Sequence, residues 1–270
     1  MATVVFVHAH PDDESSQTAG SMARAVAEGH RVVLVVATNG DHGDAPDDLA
    51  EGETVVDRRR TEMAGSVSVI GTHRVVWLGY ADSGMTGWAQ NDHEESFFRA
   101  DLEEAAARVA EVLREESADV VVGYDWHGGY GHPDHVKVHA VTKRAAELAG
   151  RPRYLEVSMN RDAIRRAFEA LRASGADPGW DADDPMDDGN PIGTPEAELH
   201  WACDVSEWID VKRAALEAHA SQSDARELLS MPEPLFAAAF GVEYYLEPGR
   251  PAGMQHAWFL EEEGVVAESA

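Results

Sequence analysis

A β-branched run, Val4-Val5-Phe6-Val7, ends abruptly in the polar knot His8-Ala9-His10-Pro11-Asp12-Asp13-Glu14. No other stretch restricts the fold so tightly. The run has strand propensity, and Pro11 disfavours the α region for His10, so the chain stays extended up to that imidazole. Over residues 15–28, Ala19, Met22, Ala23 and Val26 recur at helical spacing, and Gly29 stands where a helix commonly stops. A buried strand therefore delivers its last residues to a helix N-terminus, whose field favours the ionised forms of Asp12 and Asp13. One carboxylate is placed to ligate a divalent cation and the other to act as a base. Taken alone, a His-x-x-Asp more commonly just caps a helix.

The same junction returns further along. Residues 31–37 are a continuous apolar run, as expected of a parallel strand covered on both faces. A helix over 54–69 and a strand over 74–78 follow. Next comes an amphipathic helix over 97–115, with Phe98, Leu102, Ala105, Val109 and Val112 on one face, then a fourth strand over 119–124. That strand leads through a glycine-rich stretch into Gly131-His132-Pro133-Asp134-His135, which opens a helix carrying Val138, Val141, Ala145 and Leu148. Strands alternating with helices predict an α/β fold: a Rossmann-like, mostly parallel sheet flanked by helices, with its binding crevice at the carboxyl ends of the strands. Beyond it, the pattern predicts a strand over 154–157, a helix over 161–173, a strand over 199–205, a helix over 207–220, and a terminal strand pair, 242–246 with 255–260. The expected organisation is a catalytic core over 1–175. Residues 176–270 then form an acidic loop and a small C-terminal lobe of mixed strands and helices completing the same domain. The acids of loop 177–195, Asp183, Asp184, Asp187 and Asp188, lack the spacing and bidentate glutamate of an EF-hand.

Charge narrows the partners. Fifty acidic residues against 22 basic ones give a net charge of −28, which repels both phosphate backbones and anionic membrane surfaces. Neither nucleic acid nor membrane is expected as a partner. Cys203 is the single cysteine, so no intrachain disulfide forms. The N-terminal apolar run has no basic leader or small-residue cleavage site, and no stretch approaches the ~20 apolar residues of a membrane span. The expectation is a soluble, cytoplasmic protein acting on a small molecule, and a homo-oligomer is compatible with the sequence.

His10, Asp13 and His135 together supply two imidazole nitrogens and one carboxylate oxygen, the ligand set of a catalytic zinc with its fourth position open to water. Ferrous iron suits the same donors. Asp12, adjacent to a ligand but pointing elsewhere, can take the proton of the attacking water. His132 precedes His135 by three residues, so both reach one side of the site. Protonated, His132 can stabilise the developing oxyanion or protonate the leaving amine. Asp134 can hold the His132 tautomer and favour its imidazolium, and Tyr130 can donate a hydrogen bond to the substrate carbonyl. Plainer readings exist, since Tyr130 can simply pack and Asp134 can simply cap. Two His-Pro-Asp motifs, each joining a strand to a helix, make coincidence a poor account.

Ala9-His10-Pro11-Asp12-Asp13-Glu14 and Gly131-His132-Pro133-Asp134-His135 resemble the zinc-dependent PIG-L/LmbE N-deacetylases, over most of the chain. The resemblance implies a Rossmann-like fold, zinc on His10, Asp13 and His135, Asp12 as general base, and His132 and Tyr130 as transition-state stabilisers. Asp82-Ser83-Gly84-Met85, Gly129-Tyr130-Gly131, and Lys212-Arg213-Ala214-Ala215-Leu216 to His219-Ala220-Ser221-Gln222 resemble the actinobacterial branch. That branch holds the N-acetylglucosaminyl-inositol deacetylase of mycothiol biosynthesis and the mycothiol-conjugate amidase. Arg59, in an Arg-x-x-Glu with Glu62, and Asp82 match its sugar- or inositol-binding positions. The activity implied is amide hydrolysis, foremost N-deacetylation of an N-acetylglucosamine-type sugar or glucosaminyl-inositol conjugate. Amidase action on a mycothiol S-conjugate and a catalytically silent sugar-binding relative are the alternatives. A nucleotide-binding module fits poorly, because the first strand leads into His-Pro-Asp-Asp and not into a glycine-rich phosphate loop.

Overall fold

Two-sided burial of β-branched residues decides the centre of the molecule. In the computed structural model, which describes residues 1–261, β1 (Thr3–His8) and β2 (Arg31–Thr38) pair in parallel, and every residue after the first of each is buried. Residues 262–270 of the expected C-terminal lobe lie outside the described residues. β3 (Arg74–Tyr80) pairs with β2, β4 (Val120–Tyr124) with the free side of β1, and β5 (Arg153–Ser158) with β4, all in parallel. β7 (Val242–Leu246) adds antiparallel to β5, and β6 (Trp201–Asp204) antiparallel to β7. The sheet order is β3-β2-β1-β4-β5-β7-β6. Strand order reverses between β1 and β4, the place where an open α/β sheet forms its crevice, and both His-Pro-Asp motifs follow those two strands.

The helices start and stop on local chemistry. Five residues in a π-turn (Glu14–Thr18) lead from the first motif into α1 (Ala19–Ala27). A capping box between Thr54 and Asp57 opens α2 (Val55–Ile70), and Gly71, at φ 84°, closes it. α3 (Leu102–Glu115) is shorter than the expected 97–115 helix. Asp101 accepts the Glu104 N–H at 2.9 Å and caps it there, and Phe97–Arg99 forms a separate 3₁₀ turn. Phe98 and Leu102 are consequently exposed, while Ala105, Val109 and Val112 are buried as expected. Pro133 occupies the first position of α4 (Pro133–Leu148), and α5 (Arg161–Ala173) follows β5.

After β6 come α6 (Ile209–Ala218), α7 (Ser223–Leu229) and α8 (Glu233–Phe240), of which the last two were not expected. They close a small satellite core around Leu216, Ala225 and Phe236. The terminal strand pair is a correction. β7 lies inside the sheet between β5 and β6, and residues 255–260 form no strand, Gln255 making one bridge to Trp201. The apolar run that resembles a strand is buried by packing instead, with the Phe259 ring 5.1 Å from Tyr245. Among the described residues no helix is long and apolar enough to cross a membrane. A buried ion pair, Lys212 Nζ to Glu243 Oε1 at 2.6 Å, ties α6 to β7. The same carboxylate accepts the Gly20 and Ser21 N–H groups at the start of α1, anchoring the helix that follows the first motif.

Candidate active site

The turn after β1 sends its two aspartates in different directions. The His10 N–H donates to Asp13 Oδ2 at 2.7 Å, folding Asp13 back onto its own strand end. Asp12 lies between them at φ 106°, a conformation costly for a residue with a Cβ and common at functional sites. His135, in the first turn of α4, is fully buried, and its ring stacks on Tyr124 at 4.5 Å. Three separations of 3.3 Å result: His10 Nδ1 to Asp13 Oδ2, His135 Nε2 to Asp13 Oδ1, and His10 Nδ1 to His135 Nε2. Bonds of about 2.0–2.1 Å at tetrahedral angles would set donor atoms roughly 3.3–3.4 Å apart, so these residues fit a zinc ion.

The outer nitrogens of both imidazoles are held as well. His10 Nε2 is 3.2 Å from Asp134 Oδ2, and His135 Nδ1 is 3.1 Å from the Gly128 carbonyl, which leaves the inner nitrogens free to ligate. Asp82 Oδ1 is 3.5 Å from His10 Nε2. Donor atoms of His10, His132 and His135 lie within 4.8 Å of one another, as do those of His10, Asp82 and Asp134. Burial opposes charge on His10, yet Asp82, Asp13 and Asp134 around it hold its pKa well above the ordinary histidine value. Asp13 is the mirror case: burial pushes its pKa up, and the stronger pull of His135 and His10 keeps it well below the usual carboxylate range.

Asp12 faces the cleft. Arg59 Nη2 stands 2.6 Å from its Oδ2 and also donates to the Pro11 carbonyl, while burial pushes the Asp12 carboxyl up to about 6 against that cation. Arg59 itself is 3% exposed and lines the same cleft, of about 350 Å³. Tyr130 borders it too, with its ring 5.0 Å from that of His135 and its hydroxyl pKa raised by burial and the nearby Asp13.

One expectation about the second motif needs correction. The Asp134 carboxylate does not serve His132: it accepts the Ser83 hydroxyl at 2.5 Å and the Ser83 N–H at 2.9 Å, and faces His10. The His132 tautomer is instead set by backbone, because the Asp134 N–H donates to His132 Nδ1 at 3.1 Å and leaves the proton on Nε2. Burial and the flanking His10 and His135 rings push the His132 pKa down to about 2.

Residues 5–146, which contain both motifs, match the family model described as PIG-L, GlcNAc-PI de-N-acetylase. The chain belongs to this family. Among PIG-L relatives, the 1D-myo-inositol 2-acetamido-2-deoxy-alpha-D-glucopyranoside deacetylase of Acidothermus cellulolyticus is 36% identical, over 90% of this chain and 88% of that protein. The protein of the same name from Streptomyces griseus is 39% identical, over 81% of this chain and 74% of that one. Among solved structures, N,N'-diacetylchitobiose deacetylase from Pyrococcus horikoshii superposes with a TM-score of 0.58 at 19% identity, over 90% of this chain and 82% of that one. GalB of Pseudomonas putida, a 4-carboxy-2-hydroxymuconate hydratase, does so equally well, at 0.58 and 17%, over 95% of this chain and 100% of that one. At those identities the likeness is one of fold, and the fold alone leaves the reaction open.

This PIG-L chain also uses residues to which no role was assigned from sequence. Glu14 is fully buried: its Oε2 accepts the Asp12 N–H at 3.0 Å, and its Oε1 accepts from Ser66 at 2.5 Å and faces His219 Nε2 at 2.8 Å. Ser83 braces Asp134, and Glu62 accepts both the Ser221 N–H and hydroxyl, docking the α6–α7 turn on α2. Glu14 closes the first motif and His219 lies in a family-like stretch, but no spacing rule joins residues 205 positions apart.

Proposed function

We propose that this protein hydrolyses the acyl amide of an amino sugar, specifically that it N-deacetylates an N-acetylglucosamine-type glycoside or glucosaminyl-inositol conjugate. The observation that carries this reading is the pairing of a zinc-sized donor set with a carboxylate, Asp12, that stands outside the set, faces the cleft and is held by Arg59. His10, Asp13 and His135 would hold the ion. Bound there, zinc would supply a Lewis acid that lowers the pKa of a water molecule and polarises the amide carbonyl.

The chain's own groups do the rest. Asp12, ionised above about pH 6, takes the proton as the water oxygen bonds to the carbonyl carbon. His132, whose Nδ1 accepts the Asp134 N–H and whose Nε2 carries the proton, donates to the carbonyl oxygen as negative charge gathers there, and the Tyr130 hydroxyl is a second donor at the same wall. Asp12 then returns its proton to the amine nitrogen as the C–N bond breaks. Arg59 and Asp82 bind the sugar from the cleft wall, Arg59 while holding Asp12. The cytoplasm is the proposed compartment, in keeping with a single cysteine that is buried and unpaired.

The test is zinc loading of purified protein followed by amine release from N-acetylglucosaminyl-inositol, N,N'-diacetylchitobiose and N-acetylglucosamine. Release from at least one, abolished by chelation and restored by zinc, is expected. A stoichiometrically loaded protein that releases amine from none of them would overturn the reading.

A further inference from the structure

The two imidazoles that would hold the ion are backed by different acceptors. His10 Nε2 faces a carboxylate, that of Asp134, whereas His135 Nδ1 faces the Gly128 carbonyl at 3.1 Å. A carbonyl only accepts, so Nδ1 carries the proton. Gly128 is pressed on its partner: it lies at φ 66°, and a Cβ added there would stand 2.2 Å from His135 Cβ. The amide N–H joined to that carbonyl belongs to Gly129, and it donates to Asp125 Oδ1 at 2.8 Å. A single peptide unit therefore accepts from His135 at its oxygen and donates to a carboxylate at its nitrogen.

Asp125 follows β4 directly and is fully buried. Its Oδ1 also accepts the His127 N–H at 3.2 Å, and its Oδ2 accepts the Ser158 hydroxyl at 2.5 Å. His127 Nε2, 4.0 Å from Oδ1, faces the Gly193 carbonyl at 3.2 Å instead. The buried acids Glu14 and Glu243 meet the basic side chains of His219 and Lys212, whereas Asp125 is held by N–H and hydroxyl donors. A neutral side chain of the same shape could fold this turn at a smaller desolvation cost, so the turn alone does not call for an acid. What the charge adds is polarisation. Hydrogen bonds in series strengthen one another in a low dielectric, so a carboxylate on the amide proton makes the carbonyl at the other end of that peptide a better acceptor.

We propose that Asp125 is a positioning residue for His135, acting through the Gly128–Gly129 peptide as the counterpart of Asp134 behind His10. It fixes the proton on Nδ1, aims Nε2 at Asp13 Oδ1, 3.3 Å away, and strengthens that nitrogen as a ligand. The proposal rests on the reading of His10, Asp13 and His135 as metal ligands and not on the reaction they serve.

The experiment measures zinc affinity of the full chain by chelator competition, together with the His135 Nδ1 and Gly129 amide proton resonances, in wild type, Asp125→Asn and Ser158→Ala. Asp125→Asn keeps the shape and an oxygen acceptor for Gly129 while removing the charge. Ser158→Ala keeps the charge and removes an anchor of the same turn. Asp125→Asn should weaken zinc binding about three- to tenfold, less than the loss of a direct acceptor because a peptide intervenes, and should move both resonances upfield. Ser158→Ala should unfold at lower denaturant yet bind zinc within about twofold of wild type. Wild-type affinity and resonances in Asp125→Asn would overturn the proposal, and so would an equal loss of zinc affinity in both variants, which would show that Asp125 only holds the turn. A wild-type Gly129 amide proton at an ordinary backbone position would overturn it without any variant. Wild type that binds no zinc overturns the ligand reading alone, because the His135 resonance of the metal-free protein still reports on Asp125.

Discussion

Arg59 Nη2 lies 2.6 Å from Asp12 Oδ2, so a buried cation holds the carboxylate that the proposed reaction uses as its base. Burial raises the Asp12 pKa to about 6, and Arg59 is the largest influence pulling it the other way. The base works only when ionised. Replacing Arg59 by Met should therefore raise the Asp12 pKa further and move the acidic limb of kcat/KM to higher pH. A pH–rate profile with its acidic limb unmoved in Arg59→Met would show that Arg59 does not set the charge of Asp12.

Base and ligand can be separated at adjacent positions, because the turn points Asp13 at both imidazoles and Asp12 at Arg59. Asp12→Ala should keep zinc and lose about 10² to 10⁴ in kcat, whereas Asp13→Ala should lose zinc first and regain part of its rate in excess metal. Rescue of Asp12→Ala alone by added zinc would reverse the two roles.

Asp134 supplies no atom to the proposed donor set, yet it should matter to metal binding. Its Oδ2 is the acceptor that orients His10 through Nε2, and a lost acceptor of this kind costs about 10- to 100-fold in affinity. Chelator competition should place Asp134→Ala between wild type and His135→Ala, which should hold no stoichiometric zinc. Wild-type affinity in Asp134→Ala would mean that His10 is oriented by something else.

The parts of this architecture readable from sequence are those governed by short-range rules. β1, β4 and the openings of the following helices were legible because apolar runs, Pro11 and Pro133 act over a few residues, and the motif histidines converge once both strands lie side by side at the switch point. What long-range contacts decide was not legible. The insertion of β7 between β5 and β6, the Ser83–Asp134 bond and the Glu14–His219 pair each join distant segments. The tautomer of His132 was not legible for a related reason: it is set by a backbone N–H and not by the side chain of the acid next to it in the chain. α3 was overextended because a local cap, Asp101, prevailed over an apolar periodicity that continued beyond it.

The Glu14–His219 pair makes a stability prediction. Both side chains are fully buried at 2.8 Å, burial works against each charge, and each partner offsets it, lowering the Glu14 pKa and raising that of His219. His219→Ala leaves the carboxylate without its cation and should destabilise the fold by roughly 3–5 kcal/mol. Adding Glu14→Gln to it should restore part of that loss, since a neutral amide needs no counter-charge. Denaturant unfolding of both variants would decide the matter, and a His219→Ala protein as stable as wild type would mean that the pair carries no net stabilisation.

Glu156, on β5, predicts an opposite dependence on pH from that of an ordinary ion-paired acid. It is 7% exposed and faces His139 Nδ1 at 3.4 Å, and burial, aided by Asp125 and opposed by Tyr154 and Lys143, pushes its carboxyl from 4.5 up to about 7. The folded state thus holds the proton more tightly than the unfolded chain does. Its contribution to stability is fully present below about pH 4.5 and is lost as pH rises through 7, a change of up to roughly 3 kcal/mol. Glu156→Gln keeps the shape and removes the titration, so its stability relative to wild type should grow between pH 5 and 8. Parallel melting curves of the two proteins across that range read the difference directly, because every other titrating group is common to both. A constant gap would mean that Glu156 is ionised in the folded state at pH 5 as well as at pH 8.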